Sequence, residues 1–160
     1  MHQAHIPIGI NDPNPELGWD PNAPLSEATL IAKLHTYPNL ILWVAGHRHL
    51  NKVTALKSPD AAHSELGFWE VETPSLREFP QQIRTFEIVR NSNNTVSIFA
   101  TDVDPAVKEG SFAAISRSYA IAAHQIFKLP VPQIYNAELV KQLTPEMQLK
   151  IQNYGTSISK

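Results

Sequence analysis

The chain contains no cysteine, so disulfides and thiolate metal sites are excluded and the redox compartment is undecided. No apolar run approaches the roughly 18 residues that a membrane-spanning helix needs. No secretory-type apolar segment or anchor is visible in this stretch, so a soluble chain is expected and its localisation is unknown. Charge is sparse and balanced: Asp, Glu, Lys and Arg make up 18% of residues and the net charge is −2, which gives no signal for a nucleic-acid partner. A phosphate-cradling Gly-rich loop, a Ser-His-Asp order and an internal repeat are all missing.

What is present begins with a core. Hydrophobic residues account for 42% of the 160, enough for one domain or part of one. Its clearest piece is Leu40 to Ala45, an apolar run too short for a helix and ended by Gly46, which predicts a buried strand. His47 and His49 follow at i and i+2. In extended backbone that spacing puts both imidazoles on one side and Arg48 on the other. Gly46, without a Cβ, permits a sharp turn and a close approach. Two imidazoles at the C-terminal edge of a buried strand are a good way to hold a metal, because ligands gather at that edge in layered α/β folds. The pair alone fits two exposed loop histidines equally well.

The flanking residues add a resemblance. Leu42-Trp43-Val44-Ala45-Gly46-His47-Arg48-His49 resembles the final Gly-His-x-His signature of the calcineurin-like metallophosphoesterases. Ala4-His5-Ile6-Pro7-Ile8 resembles the isolated metal-ligand histidine of that family in its His-x-Pro setting, and Gly67 to Leu76 resembles the strand and turn that commonly follow. The likeness covers roughly residues 1–104. It implies an α/β (α+β) chain: the C-terminal half of a layered αββα metallophosphoesterase sandwich, with a mixed sheet, a β-hairpin and C-terminal helices. Residues 1–104 would be the C-terminal portion of the domain, and 105–160 a helical extension packed on it. It further implies two divalent metal ions (Mn, Fe or Zn), with His5 and His47 on one, His49 on the other and Arg48 outside the shell. The activity implied is phosphoester hydrolysis, in which metal-activated hydroxide attacks phosphorus.

The sequence also departs from the family pattern. Asp-x-His, Gly-Asp-x-x-(Asp/Asn) and Gly-Asn-His are absent from the 160 residues. The bridging Asp, the Asn ligand and the catalytic His therefore have no counterpart, so no catalytic residue is assigned. Asp12 and Asp60 lack the spacing to substitute. The expectation is the C-terminal portion of a phosphoesterase, inactive without the missing N-terminal half. The alternative is a non-catalytic metal-binding or protein-interaction module derived from that fold.

Elsewhere the residues predict mainly scaffold. Asn11 to Pro24 reads as an ordered loop beside the site, with Trp19 pinning it rather than stacking on a substrate. Ser26 caps a helix whose apolar face is Leu30, Ile31 and Leu34, which Pro38 stops, and which leaves His35 on the surface. Residues 51–58 read as a strand with Val53 and Ala55 inward, and 59–64 as a turn with His63 exposed. Residues 67–72 form a strand whose Glu70 and Glu72 are expected to be solvated rather than to support a histidine. Residues 82–90 and 95–103 make a hairpin around Asn91 to Asn94 that extends or edges a sheet. Asp102 and Asp104 read as strand-end and turn residues. Residues 111–127 form a helix with Phe112, Ile115, Tyr119, Ala122 and Ile126 on one face, and 137–143 and 145–154 continue as helix. His2 and His124 read as surface residues.

Overall fold

A computed structural model of the chain describes residues 1–9, 26–128 and 136–154. The readings of Trp19, Asp12 and the Asn11–Pro24 loop lie outside the described residues.

The apolar run forms a strand, β2 (Leu42–Ala45), with every residue buried. Such a strand has no solvent face and needs neighbours on both edges. It has them: β1 (His2–Gln3) and β4 (Phe68–Glu72) each pair with it in parallel, and β3 (Lys52–Leu56) closes the sheet antiparallel to β4, in the order β1-β2-β4-β3. Side chains alternate across this sheet. On one face Trp43, Ala45 and Phe68 pack with Ile8 and Leu40 under Leu30, Ile31 and Leu34 of α1 (Glu27–Leu34). The cap expected at Ser26 is formed: its Oγ accepts the Thr29 N–H at 3.2 Å.

The opposite face carries Leu42, Val44 and Val71, which pack against Val96, Ile98, Leu139 and Leu143. These belong to or adjoin a second, antiparallel sheet of β5 (Ile83–Arg90), β6 (Thr95–Val103) and β7 (Ala137–Gln142), in the order β5-β6-β7. The hairpin runs in register from Ile83↔Val103 to Arg90↔Val96, and Asn94 takes the positive φ of 60° that the Asn-rich turn anticipates. The chain is thus α+β, with a mixed sheet, an antiparallel sheet and a few helices, consistent with the expected class.

Three expectations are corrected. Residues 137–143 are not helical: β7 pairs with β6 from Ala100↔Ala137 to Thr95↔Gln142. Ala, Glu, Leu, Lys and Gln favour helix by propensity, but Leu139 and Lys141 are buried while Glu138, Val140 and Gln142 are exposed. That two-residue period suits the free edge of β6, and pairing overrides propensity. The hairpin consequently builds its own sheet rather than extending the mixed one. His35 is buried, not superficial. Placed just past Leu34 as the C-cap of α1, it turns inward, its ring edge-on to Phe68 and its Nε2 3.3 Å from the Leu56 carbonyl. Ala55 is exposed, although Val53 packs on the inter-sheet core as expected.

Residues 59–64 lead into a 3-10 helix (Ala61–Leu66) with Asp60 as its cap. Lys141 of β7 is buried and its Nζ donates to the carbonyls of Glu65 and Gly67, tying that turn to the second sheet. Burial pushes its pKa down to about 8, against the opposing pull of Glu65. The last helices are α2 (Phe112–Ile126), capped by Ser111, and α3 (Pro145–Tyr154), whose Met147 N–H donates to Thr144 Oγ1 at 3.2 Å. Among the described residues no helix is long and apolar enough to cross a membrane.

Candidate metal centre

Parallel neighbours deliver their C-terminal ends to the same edge. Beyond the last β1–β2 pair, Gln3↔Val44, the two chains stay together: Ala4 N–H donates to the Val44 carbonyl at 2.9 Å and Gly46 N–H to the His5 carbonyl at 3.0 Å. His5 and His47, 42 residues apart in sequence, therefore meet. His47 Nδ1 lies 3.0 Å from His5 Nε2, with the rings near perpendicular at 78°.

The route to that contact differs from the expected one. Residues 46–49 are not extended. Arg48 N–H donates to the Gly46 carbonyl at 2.8 Å, closing a three-residue turn centred on His47, which has φ 68°; His49 has φ 55°. Left-handed backbone is uncommon for a residue with a Cβ, and the surrounding structure must hold it. The positive φ thus falls on the histidines rather than on Gly46, where an added Cβ would make only ordinary contact, 3.7 Å from Thr73 Oγ1. The three side chains fan out: His47 to His5, Arg48 to Glu72 and His49 to Glu78.

Two buried carboxylates hold these loops, and here the sequence reading is corrected. Glu70 and Glu72 were expected to be solvated, but they are 4% and 1% exposed. They stand on β4, an interior strand flanked by β2 and β3, on the face that the Ala4–Ile8 segment covers. Glu70 accepts the Ile8 N–H at 2.7 Å, anchoring the loop that carries His5. Burial pushes the Glu70 pKa up, while the Ile8 hydrogen bond pulls it down. Glu72 accepts both arms of Arg48, from Nε at 2.8 Å and Nη2 at 2.5 Å, with Lys52 Nζ 3.7 Å away. A bidentate pair of this kind fixes direction as well as charge, and it pins the residue between the two histidines.

His49 Nδ1 lies 2.7 Å from Glu78 Oε2. A carboxylate can only accept, so His49 donates from Nδ1, which in the neutral ring leaves the lone pair on Nε2. Metal-bound histidines are typically oriented in this way by a carboxylate. The sequence reading missed Glu78, because nothing in the proline-flanked loop signalled it. Beside these groups a concavity of about 300 Å³ is lined by Gln3, Ala4, His5, Val44, Gly46 and Thr73, among others.

The donor set is compatible with an ion. Two ligands about 2.0–2.1 Å from one metal stand about 2.8–3.0 Å apart at right angles and about 3.3–3.4 Å apart in tetrahedral geometry, and His5 and His47 are separated by 3.0 Å, which is also a hydrogen-bond distance. Among the described residues no three or more His, Asp or Glu side chains form a metal-holding group. The imidazoles of His5 and His47 come together, whereas His49 is engaged by Glu78.

The remaining candidates have structural employment. Asp60 accepts the Ala62 N–H at 2.9 Å. Asp102, read as a strand-end residue, forms a buried ion pair with Arg84 at 2.9 Å, and Asp104 accepts from Gln82. His63 is exposed as expected and pairs with Glu65, whose hydrogen bond raises its pKa. His2 packs against Trp43 and His124 against Phe79, with the rings tilted by 31° and 52°. When the chain is compared with protein-family models, curated proteins and solved structures, nothing matches.

Proposed function

We propose that the chain is the C-terminal portion of a dinuclear-metal-dependent phosphoester hydrolase. The observation that carries this reading is the 3.0 Å approach of His5 Nε2 to His47 Nδ1 at the joined C-terminal ends of two parallel strands. The order and spacing of His-x-Pro and Gly-His-x-His support it. On this reading His5 and His47 hold one ion, and His49 presents Nε2 to the other while Glu78 fixes its ring. Bound ions would supply positive charge for phosphate oxygens and acidify water. Glu72 draws Arg48 away from the ions and keeps the turn at His47 shut. Glu70 steadies the His5 loop. The bridging carboxylate and the acid that completes turnover belong to motifs these 160 residues lack, so catalysis requires a segment that supplies them.

Calorimetric titration with Zn²⁺ or Mn²⁺ tests the reading. His5→Ala and His47→Ala should each weaken binding by about tenfold or more, and His63→Ala should leave it unchanged. Binding that survives both substitutions would refute the assignment. The 160-residue chain with either metal should not hydrolyse 4-nitrophenyl phosphate above background; robust turnover would overturn the reading of an incomplete site. A second reading, a non-catalytic module that binds a single ion, is favoured by the pairing of only two imidazoles. A stoichiometry of one metal per chain that persists when the missing motifs are supplied in trans would select it.

A further inference from the structure

A groove of about 720 Å³ lies between the loop at 77–79 and α2. Its walls are aromatic: Phe79 on the loop side, and Phe112, Tyr119 and Phe127 on the helix side. Ala120 and Ala123, three residues apart on α2, leave its floor open. The walls are tied together. Arg117 donates to the Pro80 carbonyl at 3.0 Å with its guanidinium over the Phe79 ring, and Gln81 Nε2 donates to Ser116 Oγ at 3.0 Å. Of the apolar face predicted for α2, Phe112, Ile115 and Tyr119 line the groove whereas Ala122 and Ile126 do not, and Phe112 and Tyr119 are 92% and 72% exposed.

The groove and the histidine site share a residue. Glu78 lines the groove and accepts the hydrogen bond that orients His49, with Arg77 beside it at the same rim. The Glu78 end of the groove therefore adjoins His49. Volume and lining suit a small apolar ligand. Aromatic walls favour a flat ring, and at the Glu78 end Arg77 offers a guanidinium to an anion, set against the Glu78 carboxylate that His49 engages.

We propose that this groove receives the aromatic leaving group of a phosphoester whose phosphate lies at the histidine edge. This rests on the phosphoesterase reading and adds the substrate class: aryl rather than small alkyl phosphoesters. The test compares 1-naphthyl phosphate, methyl phosphate and 1-naphthol by calorimetry on the Zn²⁺-loaded chain, with the His49 imidazole followed by NMR. Naphthyl phosphate should bind about tenfold more tightly than methyl phosphate and shift the His49 signals. Tyr119→Ala, at an exposed position, and Ala123→Leu, which raises the floor, should each erase that preference while leaving methyl phosphate affinity unchanged. Equal affinity for the two esters, or a preference that survives both substitutions, overturns the groove and leaves the histidine reading intact. If naphthol binds as tightly as naphthyl phosphate and His47→Ala alters neither, the proposed link between groove and phosphate is overturned, and the failure lies in the phosphoesterase reading.

Discussion

Among the described residues two arginine–carboxylate pairs have their carboxylate buried, and they are built differently. Arg84 and Asp102 have side chains 0% and 1% exposed, at the open end of the β5–β6 hairpin, where Arg84 also donates to Asn51. Asp102 Oδ1 has no hydrogen-bond partner among the described residues. Arg48 and Glu72 lie at the histidine edge. Glu72 is as deeply buried, yet both its oxygens are taken by one guanidinium, and Arg48 remains 29% exposed. A pair with both ions withdrawn from water is expensive to break, because the survivor stays charged and dry. A pair with one wet member can lose its partner and recover hydration. The first pair therefore belongs to the architecture, and the second chiefly sets where a turn points.

That difference is broken most directly at Asp102. Asp102→Ala takes the opposing carboxylate from the buried Arg84 guanidinium and should lower the free energy of unfolding by about 3–5 kcal/mol, measured by urea denaturation. Metal affinity of the fraction that remains folded should be unaltered, since neither residue touches His5 or His47. A loss under about 1 kcal/mol would show that Arg84 escapes to water, and the contrast would be lost.

Glu72→Gln should show the reverse balance. Arg48 can turn outward, so stability should fall by only about 1–2 kcal/mol. The left-handed turn at His47 loses the anchor that holds it shut, and Zn²⁺ affinity should drop about tenfold to a hundredfold. Retained affinity in a folded Glu72→Gln protein would mean that the turn is held by its own backbone bond, Arg48 N–H to the Gly46 carbonyl, rather than by the sheet.

The two pairs also mark how far the sequence could be read. β2, the hairpin and the caps of α1 and α2 were legible because each rests on local chemistry: a short branched-aliphatic run, strict alternation around Asn91 to Asn94, and Ser26 and Ser111 before apolar periods. The meeting of His5 and His47 was legible only through the family resemblance, since no local pattern relates residues 42 apart. What failed was what long-range partners decide. β7 has helix-forming residues and becomes a strand because β6 offers an edge. Glu70 and Glu72 look like the solvated half of an alternating strand until the Ala4–Ile8 segment covers their face. His47 and His49 look extended until Arg48 is drawn to Glu72. Charged side chains were placed outside by default, and at this edge they are the inner supports of the histidine loops.

The smallest effects are pH dependences, and two buried groups of the second sheet give them opposite signs. Burial raises the pKa of Asp102 from 3.8 to about 6, against the pull of Arg84 and with help from Asp104. The native state then binds more protons than the unfolded chain between those values, so this group's stabilisation is full below pH 3.8 and is lost as the pH rises through 6. Lys141 is the opposite case, lowered from 10.5 to about 8. There the unfolded chain binds more protons, so its contribution is full above pH 10.5 and is lost as the pH falls through 8. Urea midpoints recorded across both windows should therefore show a component that falls with pH in the acidic window and one that rises with pH in the alkaline window. Asp102→Asn should remove only the first, and Lys141→Met only the second. An Asp102→Asn protein that keeps the acidic component would assign it to another carboxylate, with Glu70, also raised by burial, the first to substitute.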